Sequence, residues 1–389
     1  MYRIGEEEIA AIRRVIETRS MFKVNNKLQE SYNAEKEIGE YWGTKYDIFM
    51  TSGHAALVSA LTAMGIGPGD EVIVPAYTYI STAMAVVSVG AIPIIAEADE
   101  TLTISPIDIE KKITKRTKAI MPVHIQGFPC DMDAIMKIAN EHGIFVLEDA
   151  CQSVGGSYNG KLLGTIGAAG ALSFNYFKII SSGEGGALLT NNREIFERAL
   201  IYHDSAAIAF FGNQMEGFRT EGFCGEEYRS NELCAAVIRV QLTRLDGILR
   251  DLRKNKKYIM DRISDLCRFI PSNDIEGDCG TALGIYFDTP EAARAFKDSG
   301  AVPVALPIEA GRHIYKNWEP IMKKRGALNP LMDPFKMPAN KDIVPDYNEN
   351  MCPETLRLLA LAAYIPISPD DTTEELDIKV AAIREALSH

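Results

Sequence analysis

The sequence lacks long apolar runs, an apolar amino terminus and any excess of basic residues. No run approaches the ~18 apolar residues that span a bilayer, and the acidic residues 1–8 (MYRIGEEE) have no signal-peptide core. The net charge of −12 and the pI near 5.2 oppose general affinity for nucleic acid or for an anionic membrane surface. We therefore expect a cytoplasmic protein that binds neither nucleic acid nor membrane.

Patterns for metal ions and disulfides are also missing. The seven cysteines are scattered, odd in number and without paired metal-ligand spacing, so we interpret them as reduced thiols. The six histidines form no HxxxH or HExxH arrangement, which argues against a metal site. The sequence contains no internal repeat and no low-complexity run.

The length of the chain suits one large and one smaller domain. Its 389 residues exceed the ~100 to 200 of an average domain. Apolar strands alternate with helical stretches through residues 47–147, which indicates an α/β fold with a mainly parallel sheet covered on both faces. Residues 203–223 are predicted as a long loop. A long helix over residues 225–258 links residues 1–245, the large domain, to residues 246–389, a small α+β domain.

A lysine follows the strand predicted at residues 169–174 (AGALSF). Lys178 thus stands just past a strand end, where α/β proteins keep their ligand sites. The glycines at residues 183–186 favour a tight turn that brings backbone close to a ligand. An amine there can form a Schiff base with an aldehyde cofactor, although most lysines are solvated surface charges. Both interpretations stay open for Lys178 taken alone.

Three further segments each have two interpretations. Residues 52–55 form a small-residue turn before a helix, which either binds an anion through free N–H groups or is an ordinary N-cap. Tyr79 lies at a strand-to-helix junction, where its ring stacks on a flat ligand or packs in the core. Asp149 ends a buried strand, where it meets a cation such as a protonated pyridine nitrogen or caps the next turn.

Taken together and in order, these segments are the parts that a pyridoxal phosphate site requires. The phosphate needs backbone N–H groups and hydroxyls, and the ring needs a face. The ring nitrogen needs a carboxylate that keeps it protonated, and the aldehyde needs a lysine. The convergence therefore favours a cofactor site over four unrelated features.

These motifs resemble the DegT/DnrJ/EryC1/StrS sugar aminotransferases, which are fold type I pyridoxal phosphate enzymes. The resemblance covers nearly the whole chain and rests on residues 52–57 (SGHAAL), 75–79 (PAYTY), 148–152 (EDACQ) and 173–186. It implies a mostly parallel seven-stranded sheet in the large domain and a homodimer with shared active sites. It also implies catalytic roles for Lys178, as the Schiff-base lysine, and Asp149, as the partner of the ring nitrogen. The cofactor-binding residues that it implies are Ser52, Gly53, His54, Ala55, Tyr79, Asp149, Gln152, Ser173, Lys178 and Glu227.

Two positions depart from the family pattern. His54 stands where the family commonly has threonine in the phosphate turn; either its ring bonds the phosphate or the backbone N–H groups suffice. Residues 225–229 (GEEYR) resemble a loop usually written Gly-x-Asn-Tyr-Arg, whose asparagine reaches the phosphate of the dimer partner. Glu227 would bring a negative charge toward that anion. We predict that Glu227 turns aside and that Arg229 compensates.

Lys178 favours amino transfer, because the usual dehydratases of the family carry histidine at this position. The implied reaction is ping-pong: L-glutamate or L-glutamine leaves its amino group on the cofactor, and a keto-sugar accepts it, with Lys178 as general base and acid. A dehydratase or a non-catalytic regulatory protein that binds the cofactor are the alternatives.

The acceptor sugar is less defined. Residues 96–102 and 313–318 look similar to the subgroup that forms 8-amino-3,8-dideoxyoctulosonate, and related enzymes act on nucleotide-linked keto-deoxysugars or cyclitols. Packing of the small domain explains residues 313–318 equally well. The substrate candidates are Arg229, His313, Tyr315 and Trp318.

Overall fold

A seven-stranded sheet lies at the centre of the computed structural model, which describes residues 3–24, 26–206 and 217–388. The strands are β1 (Tyr46–Met50), β2 (Glu71–Pro75), β3 (Ile92–Ala96), β4 (Thr117–Ile120), β5 (Phe145–Asp149), the short hairpin β6 (Ser157–Tyr158) and β7 (Lys161–Leu162), then β8 (Ala169–Ser173) and β9 (Gly186–Thr190). Apart from the hairpin, they order as β1-β9-β8-β5-β4-β2-β3, and only β9 runs antiparallel to its neighbours. The predicted α/β class with a mostly parallel seven-stranded sheet is confirmed.

Helices cover both faces of this sheet. Val72 and Val74 of β2 enter one apolar core, while Ile73 between them enters a second, as alternation along a strand requires. None of the helices in the described residues is both long and apolar enough to cross a membrane. The helices are α1 (Glu6–Glu17), α2 (Glu30–Trp42), α3 (Gly53–Ala63), α4 (Ser81–Ser88), α5 (Pro106–Lys112), α6 (Met132–His142), α7 (Arg193–His203), α8 (Glu232–Leu242) and α9 (Leu245–Ile263).

The remaining part of the chain contains a second, antiparallel sheet. Its strands β10 (Arg268–Phe269), β11 (Ala282–Tyr286) and β12 (Ala362–Pro366) lie in that order. The helices of this part are α10 (Pro290–Asp298), α11 (Glu319–Met322), α12 (Pro353–Leu361) and α13 (Thr373–Leu387), of which α10 and α12 contact β12. Both apolar cores continue into this part, so the domain boundary between residues 245 and 246, at the start of α9, stays a prediction.

The single helix predicted over residues 225–258 is wrong. The Asn231 side chain accepts hydrogen bonds from the N–H groups of Leu233 and Cys234, so α8 begins only at Glu232. Residues 243–244 then separate α8 from α9. Residues 226–229 are extended and pair with two distant segments, through Glu227 with Asp204 and Arg229 with Met50. The loop predicted at residues 203–223 lies partly outside the described residues.

A buried carboxylate of α8 caps the amino terminus of α2. Gln29, which precedes α2, makes no side-chain capping bond. Instead the fully buried Glu232 accepts hydrogen bonds from the N–H groups of Glu30 at 2.5 Å and Ser31 at 3.0 Å. A negative charge at this position also complements the positive end of the helix dipole. The start of α2 therefore depends on a side chain more than 200 residues away.

We expect Glu232→Gln to lower the free energy of unfolding by about 1–3 kcal/mol, because two buried N–H groups lose their charged acceptor. Glu40→Gln, also on α2, is the matched control. Its pair with Lys36 is exposed at 65% and 63%, and its loss should cost less than about 0.5 kcal/mol. Urea unfolding of both variants measures the difference, and equal losses would contradict the capping role of Glu232.

Candidate functional site

A cavity of about 600 Å³ opens near the carboxyl ends of β2, β5 and β8. Parallel strands end at a common edge of the sheet, so side chains that follow different strands meet there. The structure brings most of the predicted site residues to this cavity: its walls include Ser52, Gly53, His54, Tyr79, Asp149, Gln152, Ser173, Lys178 and His313.

The turn at the start of α3 presents backbone donors to the cavity wall. Ser52 is the N-cap, and its Oγ accepts the N–H of Ala55 at 3.1 Å. Among the described residues, the N–H groups of Gly53 and His54 have no acceptor. Unpaired N–H groups at a helix amino terminus are suited to bind an anion. Ala55, also predicted as a ligand, already uses its N–H within the turn.

Only glycine fits at position 53. A Cβ there would lie 2.6 Å from the Cys151 Sγ atom and 2.9 Å from the Ser173 Cβ atom. These are the residues that follow β5 and end β8. Close backbone approach at Gly53 therefore brings the anion-binding turn against Ser173, the second predicted phosphate ligand.

His54 lines the cavity beside this turn. Its Nδ1 atom lies 2.9 Å from the Ser81 Oγ atom. Burial lowers the pKa of His54 below its ordinary value of 6.5, so the ring carries no charge at pH 7. The histidine that replaces the usual threonine therefore adds a polar group but no cation.

Asp149 is a buried carboxylate that forms no ion pair with the described residues. It is 5% exposed, and its two oxygens accept one hydrogen bond each: Oδ2 from the Thr82 hydroxyl at 2.8 Å and Oδ1 from the Cys151 N–H at 3.2 Å. No lysine, arginine or histidine of the described chain forms an ion pair with it. Such a carboxylate is costly to bury and is suited to receive a cationic ligand group.

Lys178 lies in a turn that is stabilised by hydrogen bonds within residues 174–181. The Lys178 N–H donates to the Asn175 carbonyl and the Phe177 N–H donates to Asn175 Oδ1, both at 3.0 Å. The Ser181 hydroxyl donates to the Phe174 carbonyl at 3.1 Å. Among the described residues, no carboxylate lies within ion-pair distance of Lys178, so its amine is available to a ligand in the cavity.

Tyr79 and His313 form the opposite side. Their ring centroids lie 5.3 Å apart. Thr78 donates its N–H to the His313 carbonyl at 2.9 Å, and Ile80 donates to the Arg312 carbonyl at 3.0 Å. Burial lowers the pKa of His313, and the positive charge of Lys178 lowers it further. The predicted substrate candidate His313 therefore reaches the cavity as a neutral side chain.

Tyr315 and Trp318 do not line the cavity. Both are fully buried. The Tyr315 hydroxyl donates to the Glu349 carbonyl and accepts the Cys352 N–H, and Trp318 Nε1 donates to the Arg312 carbonyl. Trp318 thus holds the carbonyl of the residue before His313, and the roles of Tyr315 and Trp318 as substrate contacts stay predictions.

Glu227 and Arg229 also lie away from the cavity of their own chain. The two side chains form an ion pair of 2.9 Å, and Arg229 lies 3.5 Å from the carboxylate of Asp204. The Glu227 side chain is 53% exposed. Their predicted roles across a dimer interface stay predictions.

Sequence reasoning missed the wall formed by Gln126 and Thr281. The Gln126 N–H donates to Gln152 Oε1 at 3.1 Å, and the Thr281 hydroxyl donates to the Gln126 carbonyl at 2.5 Å. Because the Gln152 oxygen is used as this acceptor, its NH₂ group remains for a ligand. Gln126 has a φ of 53° and precedes Gly127, and this Gln-Gly pair after a predicted strand was the available signal.

A family model described as the DegT/DnrJ/EryC1/StrS aminotransferase family matches residues 2–285. The chain belongs to this family. It is 39% identical over 273 residues to the spore coat polysaccharide biosynthesis protein SpsC of Bacillus subtilis, over 69% of this chain and 68% of that protein. It is 41% identical over 215 residues to the GDP-perosamine synthase of Caulobacter vibrioides, over 54% of this chain and 56% of that enzyme. An aminotransferase structure from Psychrobacter cryohalolentis matches with a TM-score of 0.81 at 28% identity, over 100% of this chain and 98% of that one.

Pyridoxal phosphate is the cofactor of this aminotransferase family, and the residues present fit it. The unpaired N–H groups of Gly53 and His54 suit a phosphate, the unpaired Asp149 carboxylate suits a protonated ring nitrogen, and the Lys178 amine suits an aldehyde. The predicted family, fold class and cofactor are confirmed, whereas the role of each site residue stays a prediction.

We expect Gly53→Ala to weaken pyridoxal phosphate binding by about tenfold or more, because the added methyl group forces the anion-binding turn away from Ser173. Gly67→Ala, in the loop after the same helix, is the control, since a Cβ there meets nothing closer than 3.6 Å. Titration of the cofactor-free proteins measures the dissociation constants. Unchanged affinity in Gly53→Ala would remove this turn from the phosphate site.

Proposed function

We propose that this chain transfers an amino group from L-glutamate or L-glutamine to a keto-sugar, in two half-reactions that share one pyridoxal phosphate. The observation that carries the proposal is the convergence of Lys178, Asp149 and the amino terminus of α3 on one cavity. The names of the relatives, a GDP-perosamine synthase and a spore coat polysaccharide biosynthesis protein, support a sugar as the acceptor.

Four residues would hold the phosphate. Ser52 and Ser173 offer hydroxyl groups, and Gly53 and His54 offer N–H groups at the positive end of α3. All of these donors are neutral, since two are serine hydroxyls and two are backbone N–H groups. The helix amino terminus therefore supplies the positive potential that a lysine or arginine supplies in other phosphate sites.

The ring would lie against Tyr79, with its nitrogen toward Asp149. When bound, pyridoxal phosphate supplies an aldehyde that takes up the amino group and a ring that withdraws electrons from the reacting carbon. Asp149 would keep a proton on the ring nitrogen, and the Gln152 NH₂ group, whose oxygen is already used by the Gln126 N–H, would donate to the ring hydroxyl. Burial makes the Asp149 interaction strong because water does not screen it.

Lys178 would carry the proton transfers. Its Nζ atom takes a proton from the α carbon of the amino donor, and in the second half-reaction it returns a proton to the carbon of the sugar that receives nitrogen. The half-buried amine faces the cavity next to Asn175 and His313. Three further residues line the cavity and come from segments other than the phosphate turn: Gln126, Thr281 and His313. We propose that they contact the sugar.

The finer details of the acceptor are also proposals. A nucleotide-linked keto-deoxysugar agrees with the names of several relatives. The similarity to the octulosonate subgroup stays a prediction, as does the cytoplasmic location.

We further propose a homodimer in which residues 223–229 reach the site of the partner. Phe177, on the cavity wall, is 75% exposed and is packed edge-on against Tyr176. A second copy would cover this aromatic surface. In that dimer Arg229 would hold the exposed carboxylate of Glu227 aside from the partner's phosphate and compensate its charge.

We expect Lys178→Ala to fold and to retain the cofactor by non-covalent contacts, but to slow amino transfer by about 10²–10⁴-fold, because the general acid and base is lost. Borohydride treatment should fix one cofactor to the unmodified protein and none to the variant, as intact mass measures. Lys161→Ala, on the exposed hairpin, is the control that should behave like the unmodified protein.

The same proteins test the reaction itself. Adding L-glutamate or L-glutamine should bleach the visible absorbance of the unmodified protein, and a keto-sugar should restore it and gain nitrogen. A sugar product without nitrogen would indicate a dehydratase. No spectral response to either donor would favour a non-catalytic binding protein.

We expect Arg229→Ala to weaken cofactor binding by about two- to fivefold at low salt, because Glu227 loses its 2.9 Å partner and repels the phosphate. Glu227→Gln in the Arg229→Ala background should restore affinity. If the loss is the same with and without the Glu227 charge, the compensating role of Arg229 is wrong. Titrations at two salt concentrations distinguish these outcomes.

A further inference from the structure

Two buried threonines connect Asp149 to the segment that carries Tyr79. Thr82 Oγ1 lies 2.8 Å from Asp149 Oδ2, and Thr78 Oγ1 lies 2.8 Å from Thr82 Oγ1. Both threonines are 0% exposed, and Asp149 is 5% exposed. The side chains of Thr78, Thr82 and Asp149 therefore form a hydrogen-bonded chain, here called the row, with little access to water.

The chemistry of the groups fixes the direction of this row. An ionised carboxylate only accepts hydrogen bonds, so Thr82 donates its single hydroxyl proton to Asp149. The bond between the two hydroxyls must then be donated by Thr78. The other acceptor near the Thr78 hydroxyl, the Tyr79 carbonyl, is farther away at 3.4 Å. Aligned donors strengthen one another in a buried row.

The hydroxyl of Thr82, in α4, does not form the hydrogen bond that is usual for a threonine in a helix. A threonine in a helix commonly donates its hydroxyl to the carbonyl four residues earlier, which here belongs to Thr78. Thr82 instead donates to Asp149, the last residue of strand β5. The segment is also fixed from outside, because Thr78 and Ile80 donate their N–H groups to the carbonyls of His313 and Arg312.

We propose that Thr82, supported by Thr78, is a positioning residue that orients the Asp149 carboxylate toward the ring nitrogen of the cofactor; this inference rests on the proposed function. Thr82 bonds one carboxylate oxygen and the Cys151 N–H bonds the other, at 2.8 and 3.2 Å. Two donors on different elements set the plane of the carboxylate. Residues 78–82 thus place Tyr79 against the face of the ring. They also place the Thr82 hydroxyl, which orients the Asp149 carboxylate toward the ring nitrogen.

The test compares two ligands. Pyridoxal phosphate carries the ring nitrogen, and its 1-deaza analogue has carbon at that position. Dissociation constants are measured by titration of the cofactor-free proteins. Thr82→Val keeps the shape of the side chain and removes the hydroxyl, so it should weaken pyridoxal phosphate binding by about tenfold and leave binding of the analogue unchanged. Thr82→Ser keeps the hydroxyl and should bind both ligands as the unmodified protein does.

Thr78→Val removes the supporting donor and should give a smaller loss that is again confined to pyridoxal phosphate. It also carries the test if circular dichroism shows that Thr82→Val does not fold. Equal weakening of both ligands in the threonine variants would show that the threonines only pack, and would overturn the inference.

A separate outcome concerns the proposed function. If the unmodified protein and Asp149→Asn each bind the two ligands equally well, Asp149 does not pair with the ring nitrogen. The proposed role of Asp149 then fails together with this inference. Ligand discrimination by the unmodified protein, combined with equal weakening in Thr82→Val, overturns the inference alone.

Discussion

The site depends on one buried carboxylate that no cation of the described residues pairs. Asp149 is 5% exposed and receives two hydrogen bonds from neutral donors, with no cation among the described residues. Its immediate neighbour Glu148 is 0% exposed but receives four, from the N–H groups of Gly164, Ile166 and Gly167 and from His124. The Nδ1 atom of His124 accepts the Cys130 N–H, so its Nε2 carries the proton that reaches Glu148. Two adjacent carboxylates at one strand end therefore have different surroundings: the hydrogen bonds of Glu148 are satisfied within the fold, and Asp149 is open to the proposed contact with the cofactor.

This difference explains how the rest of the site is arranged. Glu148 ties the end of β5 to residues 164–167, which lead into β8, and β8 ends at Ser173, against Gly53. Asp149, Ser173 and the start of α3 are thus fixed relative to one another by the pairing of β5 with β8, by the buried Glu148 carboxylate and by close packing at Gly53. Preorganised donors of this kind bind a rigid ligand without a further loss of conformational entropy.

The strands and the cofactor motifs were predictable because their signals are local. Residues 72–75 of β2 are continuously apolar. Asp149 is the last residue of β5, and Ser52 and Lys178 come shortly after β1 and β8. The errors came from contacts between distant segments. The helix predicted over residues 225–258 was placed too early, because the Asn231 cap and the pairing of Arg229 with Met50 set the start of α8 at Glu232. Nothing local distinguishes His313, which reaches the cavity, from Trp318, which binds the Arg312 carbonyl.

Residues from the last third of the chain complete the cavity, and they do so through the backbone of the first two-thirds. Thr281, just before β11, donates to the Gln126 carbonyl, and the Gln126 N–H in turn orients Gln152. His313 accepts the Thr78 N–H through its carbonyl. The groups proposed to hold the phosphate and ring nitrogen follow strands of the seven-stranded sheet, whereas these contacts come from loops around the second sheet. Because loops change more readily than buried strand ends, a cavity built in this way can keep its cofactor while the side open to the sugar varies.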